Sequence, residues 1–168
     1  MVKNHSNIIL IGMPGSGKST VGVILAKQLA CDFVDTDVLI QTGQGRSLQA
    51  IVDSEGYLAL RRIEEEVLLG LNLRHHVIAT GGSAVYSHAA MNHLKADGTV
   101  VFLDVQPATL EARVHDYETR GLAKRPDQCL ADLFAERFAL YSRYADVTIS
   151  CDRLGHEEVC ARISEALA

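Results

Sequence analysis

The stretch IILIGMPGSGKSTVG, residues 8–22, joins an apolar run to a glycine-rich turn and then to Lys-Ser-Thr. Its opening run is too uniformly apolar to alternate, as expected for a strand covered on both faces of a parallel sheet. Gly12 to Ser19 satisfy the pattern G-x-x-x-x-G-K-[ST] in full, after a strand and before a helix, which is the context this phosphate loop requires. Gly12, Gly15 and Gly17 permit the tight turn through which successive N–H groups converge on phosphate oxygens. The helix that follows adds its positive end. Lys18 reaches the β- and γ-phosphates as a point charge, and the Ser19 hydroxyl suits Mg²⁺. An ordinary glycine turn would not need Lys followed by Ser. The stretch therefore implies a nucleoside triphosphate, ATP rather than GTP, since no Asn-Lys-x-Asp segment is present to read guanine.

The rest of the chain carries the same architecture outward. Further strands are expected at 32–35, 76–80, 99–105 and 146–150, alternating with segments of helical period at 18–30, 47–74 (broken near Gly56), 87–97, 107–118, 128–145 and 156–168. This alternation predicts an α/β fold, a five-stranded parallel sheet between two helical layers. Pro107 suits a first helical turn. The segment 117–128, YETRGLAKRPDQ, interrupts a helical pattern with Gly121 and Pro126 and is a candidate mobile lid.

A chain of 168 residues, 48% hydrophobic, is the size of one domain, so residues 1–168 are expected to form a single domain. A net charge of -5 gives no electrostatic reason to expect nucleic acid or an anionic membrane as partner. The N-terminal apolar run breaks at Gly12, too short to span a bilayer, and no cleavage-site pattern precedes it, so a cytoplasmic protein is expected. Cys31, Cys129, Cys151 and Cys160 lack metal-ligand spacing and read as buried thiols.

Several other residues bear on what receives the phosphate. Asp35 and Asp37 fall at the C-terminal end of the second strand, where ligands bind in such sheets, and strand alternation would point both to one side. One carboxylate there suits the hydration shell of Mg²⁺ and the other a hydroxyl proton; a solvated helix cap is the bland alternative. The run RRIEEE reads as a solvated helix face, with Arg61 and Glu65 as i,i+4 partners. Gly81-Gly82 closes a buried strand where a ligand can approach the backbone.

Taken together, Gly12 to Thr20, Asp35-Thr-Asp37, GRSLQAI, RRIEEEV, ATGGSAV, ERFALY and Tyr144-Ala-Asp146 resemble, in order and spacing, the shikimate kinases. That resemblance spans nearly the whole chain. It implies a monomeric P-loop kinase of the nucleoside monophosphate kinase type that moves the γ-phosphate of ATP to the 3-hydroxyl of shikimate, in aromatic amino-acid biosynthesis. It implies nucleotide contacts from Gly15, Ser16, Gly17, Lys18, Ser19, Thr20, Arg113, Arg120 and Arg153, and Mg²⁺ held by Ser19 and, through water, Asp35. It further implies acceptor contacts from Asp37, Arg61, Gly81, Gly82 and Arg137, with Lys18, Asp37 and Arg120 in the catalytic group.

The chain departs from the family pattern in three places. The run of three glycines is Gly81-Gly82-Ser83, the helix before the first clamp arginine reads GYLALRR, and the lid reads RGLAKRPDQ. Arg120 matches the lid arginine by register and is preferred; Arg125, followed by Pro126, is the rival. Two other readings remain. A related kinase could act on another hydroxylated acid such as gluconate, or a P-loop ATPase could use Asp104 at the end of VVFLD on its metal.

Overall fold

The computed structural model describes residues 6–116 and 119–168. Five strands form one parallel sheet: β1 (Asn7–Ile11), β2 (Asp32–Asp35), β3 (His76–Ala79), β4 (Gly98–Asp104) and β5 (Val147–Ser150), in the order β2-β3-β1-β4-β5. β1 is central and buried at every residue; Ile9 is flanked by Ile78 of β3 and Val100 of β4. β2 and β5 are the edges and are correspondingly less covered.

Eight helices connect and cover the strands: α1 (Lys18–Leu29), α2 (Thr36–Gln44), α3 (Leu48–Glu55), α4 (Tyr57–Leu69), α5 (His88–Ala96), α6 (Pro107–Arg113), α7 (Leu130–Tyr144) and α8 (His156–Leu167). A 3₁₀ turn, Ala84–Tyr86, follows β3. α1 and α8 pack together, while α4, α5 and α7 meet around the 3₁₀ turn, so the sheet lies between two helical layers. The chain runs outward from β1 to β2, returns to β3, and crosses to β4. That reversal beside β1 opens a crevice at the C-terminal strand ends, where the loops after β1, β2 and β3 converge.

The main core joins Ile9, Leu10, Ile78, Val101 and Leu103 of the sheet to Leu25, Met91, Leu133 and Ile163 of the helices. A second, smaller core of Ile40, Ile51, Leu60 and Ala123 ties α2, α3 and α4 to the segment after α6. Gly56 divides α3 from α4 at φ 85°, as the sequence suggested.

Three expectations are corrected. Asp37 is not on a strand: β2 ends at Asp35, whose carboxylate caps α2 by accepting from the N–H groups of Asp37 (2.9 Å) and Val38 (3.4 Å). The segment TDVLIQTGQ is rich in β-branched residues and holds a glycine, so its propensity hides a helix that the Asp35 cap and the buried Thr36 and Ile40 sustain. α6 stops at Arg113 instead of running to 118; positions 117 and 118, the first two of the expected lid, lie outside the described residues, as does the N-terminal stretch read for a leader. Cys129 is exposed at the start of α7, where its thiol meets Asp132, and Cys31 is half-buried; only Cys151 and Cys160 are buried thiols. No described helix is long and apolar enough to cross a membrane.

Asn7 pins the start of β1. Its amide donates to the Leu73 carbonyl (2.7 Å) and accepts from the His76 N–H (3.0 Å), and the residue is 5% exposed. Asn7→Ala would orphan both groups, at about 1–3 kcal/mol. Urea unfolding should show a lower midpoint with an unchanged slope.

Candidate active site

The crevice is a cleft of about 820 Å³. One end is built from backbone. Gly12, Gly15 and Gly17 all have positive φ, and the space a Cβ would need at Gly15 is taken by Val114 Cγ2. Side chains are excluded there, so the loop can close around a phosphate. Gly17 caps α1, which aims its N-terminus at the loop.

Lys18 lies within that loop, 8% exposed, and its Nζ donates to the carbonyls of Gly12 (2.8 Å) and Met13 (2.9 Å). Burial lowers its pKa to about 8, against the opposing pull of Asp37. Ser19 Oγ donates to Asp35 Oδ2 at 2.5 Å, so hydroxyl and carboxylate stand together beside the loop. Arg113 Nη1 reaches the Gly15 carbonyl at 3.4 Å and lines the cleft, as do Thr20 and Arg120. Ser16 is buried behind the loop. Arg153 is exposed and does not line the cleft; Leu154, Gly155 and His156 do so in its place, with His156 Nε2 next to Gly17.

The other end is built from side chains. Asp37 lines it, and burial followed by the neighbouring Asp35 pushes its carboxyl up. Gly81 and Gly82 are glycines by necessity of contact. A Cβ at Gly81 would lie 2.5 Å from Glu64 Oε1 and 2.6 Å from Asp37 Oδ1, and one at Gly82 would lie 2.7 Å from Arg137 Nη1. The Gly81 N–H is used by Thr36 Oγ1 (3.2 Å), whereas the Gly82 N–H has no acceptor among the described residues. Tyr141 fixes the turn by donating to the Gly82 carbonyl at 2.6 Å.

Arg137 is 1% exposed yet has no carboxylate within ion-pair distance among the described residues. Its Nε donates to Tyr86 Oη (3.4 Å) and its Nη2 to the Ala123 carbonyl (3.2 Å). Arg61 comes to the same oxygen: Nη2 donates to Ala123 O at 3.0 Å, while the guanidinium lies over the Tyr86 ring at 3.6 Å. The expected Arg61–Glu65 pair is absent; Glu65 accepts from Ser87 instead. Two guanidinium groups thus converge on one carbonyl, supplied by the segment after Arg120. That segment is docked: Gly121, at φ 69°, donates to Gln49 Oε1 (2.7 Å) and packs on Leu48, and Ala123 is buried. Arg125 turns away to Glu136 (3.6 Å), whereas Arg120 lines the cleft.

Glu64 is the residue that the sequence reading missed. It is 3% exposed, lines the cleft, accepts from Ser83 Oγ through Oε2 and leaves Oε1 without a partner. A signal existed: Glu64 stands four residues from both Leu60 and Leu68, on the buried stripe of α4. Desolvation, with Asp37 adding to it, raises its pKa from 4.5 to about 7. A carboxyl whose folded pKa is raised is favoured neutral in the native state. Native protein then binds more protons than unfolded chain, and stability falls as pH rises across that window. Glu64→Gln should therefore gain stability relative to the parent between pH 4.5 and about 7 and hold a constant difference above it, as measured by urea unfolding at several pH values.

A family model described as shikimate kinase matches residues 14–168. The shikimate kinase of Symbiobacterium thermophilum is 40% identical over 166 residues, covering 96% of this chain and 95% of the relative. The Aquifex aeolicus enzyme is 37% identical over 153 residues, covering 90% of each chain. Among solved structures, the shikimate kinase from Acinetobacter baumannii in complex with shikimate superposes with a TM-score of 0.87 at 30% identity, over 96% of this chain and 92% of the other. The Aquifex aeolicus structure gives 0.81 at 36% identity, over 96% and 95%.

Proposed function

Because the chain belongs to the shikimate kinase family, we infer that it is an ATP-dependent kinase that moves the γ-phosphate of ATP onto the 3-hydroxyl of shikimate. The observation that carries this reading in the chain itself is the pairing, in one cleft, of a phosphate loop with Arg137, a buried cation with no carboxylate at ion-pair distance among the described residues. Such a site suits an acceptor that brings a carboxylate and hydroxyls together.

In this reading the loop amides, Lys18 and Thr20 hold the triphosphate, with Ser16 shaping the loop from behind. Arg113 borders the nucleotide, and the backbone from Leu154 to His156 takes the place assigned to Arg153. Arg120 lies close enough for its charge to act on both Lys18 and Asp37, the position required to neutralise the transferring phosphoryl group. Arg61 and Arg137 clamp the acceptor carboxylate, which takes the place of the Ala123 carbonyl between them as the segment 119–128 moves as a lid. Gly82 offers its N–H to the acceptor, and Gly81 lets it approach.

Asp37 accepts the proton of the attacking hydroxyl; its raised proton affinity suits a base, and Lys18 and Arg120 offset the charge as it forms. Closure of the lid excludes water from the phosphoryl group. The oxygen donors Ser19 and Asp35 fit Mg²⁺. One carboxylate and one hydroxyl are what an ion that keeps most of its waters and leans on nucleotide phosphates requires, and no described cluster of three or more His, Cys, Asp or Glu offers an all-protein cage. Mg²⁺ would supply charge neutralisation at the phosphates. The protein is proposed to act as a monomer in the cytoplasm.

An ATPase reading that relies on Asp104 has less support. Asp104 does not line the cleft, and its buried Oδ1 has no partner among the described residues. ADP release with shikimate, measured beside gluconate, should be faster than with ATP alone only for shikimate. Asp37→Ala should lower that turnover by about 10²–10⁴-fold, while Asp104→Ala should retain it. Release indifferent to shikimate, or lost with Asp104 instead of Asp37, would contradict the assignment.

A further inference from the structure

Arg61 and Arg137 reach one oxygen, Ala123 O, at 3.0 and 3.2 Å, and like charges brought that close repel each other. Burial makes the Arg61 cation harder to keep and Arg137 adds to the difficulty, while the carboxylate of Glu136 works the other way. Glu136 nevertheless pairs directly with neither cation. Its oxygens accept from Tyr86 Oη (2.8 Å) and Gln128 Nε2 (2.8 Å) and lie 3.6 Å from Arg125. The side chain that joins this carboxylate to both arginines is Tyr86.

Tyr86 ends the 3₁₀ turn after β3, and each part of it meets a different member of the group. The ring face carries the Arg61 guanidinium, whose central carbon lies 3.6 Å from the ring centroid, well within the range of a cation–π contact. The hydroxyl accepts from Arg137 Nε at 3.4 Å and donates to Glu136 Oε1. Holding Arg137 by Nε orients the guanidinium and leaves Nη2 for the Ala123 carbonyl. Donation to a carboxylate makes the phenol oxygen a better acceptor, so Glu136 supports Arg137 through Tyr86 without occupying its outer N–H groups. The backbone beneath is fixed, because the Tyr86 N–H donates to the Ser83 carbonyl (3.1 Å). Tyr86 does not line the main cleft; it lines, with Arg61, a pocket of about 290 Å³. Without the ring, repulsion from Arg137 would give Arg61 a reason to turn aside, and that pocket would give it room. We propose that Tyr86 is a positioning residue for acceptor binding: its ring holds Arg61 and its hydroxyl holds Arg137, so that the two cations meet the acceptor's carboxylate together. This inference rests on the clamp role given to the two arginines above.

The test is steady-state kinetics with shikimate varied at saturating ATP. Tyr86→Leu should raise KM for shikimate about tenfold, equivalent to about 1.4 kcal/mol, with kcat within about twofold and KM for ATP unchanged. Tyr86→Phe keeps the ring and loses the hydroxyl, so its KM should rise only about threefold. In an Arg61→Met background, read as kcat/KM, Tyr86→Leu should cost no more than that same threefold or so, since no guanidinium remains for the ring to hold. The methyl ester of shikimate, lacking the charge, should show no difference between parent and Tyr86→Leu. Tyr86→Met serves in place of Tyr86→Leu if the leucine variant fails to fold. An unchanged KM, an undiminished loss in the Arg61→Met background or with the ester, or a change in kcat or in KM for ATP as large as that for shikimate overturns the proposal while leaving the kinase intact. A parent chain that does not turn over shikimate overturns the acceptor reading and this inference with it.

Discussion

One end of the cleft is organised around a buried cation, Arg137. Arg137 is almost wholly removed from water, and an unpaired charge in that position would cost several kcal/mol. Among the described residues the fold offsets this with neutral oxygens: Tyr86 Oη on the 3₁₀ turn and the Ala123 carbonyl on the segment after Arg120. Those partners dictate much of what surrounds them. The turn after β3 must pass so near the guanidinium that residue 82 has no room for a side chain, and Tyr141, one turn further along α7, ties down the same turn. The segment after Arg120 must enter the second core for its carbonyl to arrive, which is why Ala123 packs with Ile40, Ile51 and Leu60.

The two ends of the cleft follow different physical rules. The donor end meets phosphate with main-chain groups, so its requirement is for absent side chains, met by glycines at positive φ and by Val114 filling the space behind Gly15. The other end is lined by long charged side chains. Asp37, Arg137 and Lys18 all act on Glu64, and burial moves the proton affinities of Glu64 and Asp37 up and that of Lys18 down. Parallel topology makes the meeting of these ends possible, since the loops after β1, β2 and β3 all open on the same edge.

Local rules carry the donor end, and it was legible in the sequence: Gly12 to Ser19 need only a strand before them and a helix after. The strands were legible to within about a residue for a similar reason, because burial on both faces leaves an uninterrupted apolar run. Helix α2 was not, since a side-chain cap from Asp35 and packing against α4 outweigh the weak propensity of TDVLIQTGQ. Glu64 was obscured by its neighbours: in RRIEEE the charged residues on either side are solvated to varying degrees, and only the spacing from Leu60 and Leu68 separates it. The partners of Arg61 were beyond reach, because Tyr86 and Ala123 come from elements 25 and 62 positions away in the chain.

The account therefore stands on Arg137 being buried for a substrate carboxylate and for no purpose of general stability. Calorimetric titration of shikimate into the parent chain and into Arg137→Met, each checked for ATP binding, addresses that claim most directly. The account predicts saturable binding of one shikimate to the parent, none detectable to Arg137→Met, and ATP binding retained by both. Equal shikimate affinity in the two proteins would contradict it.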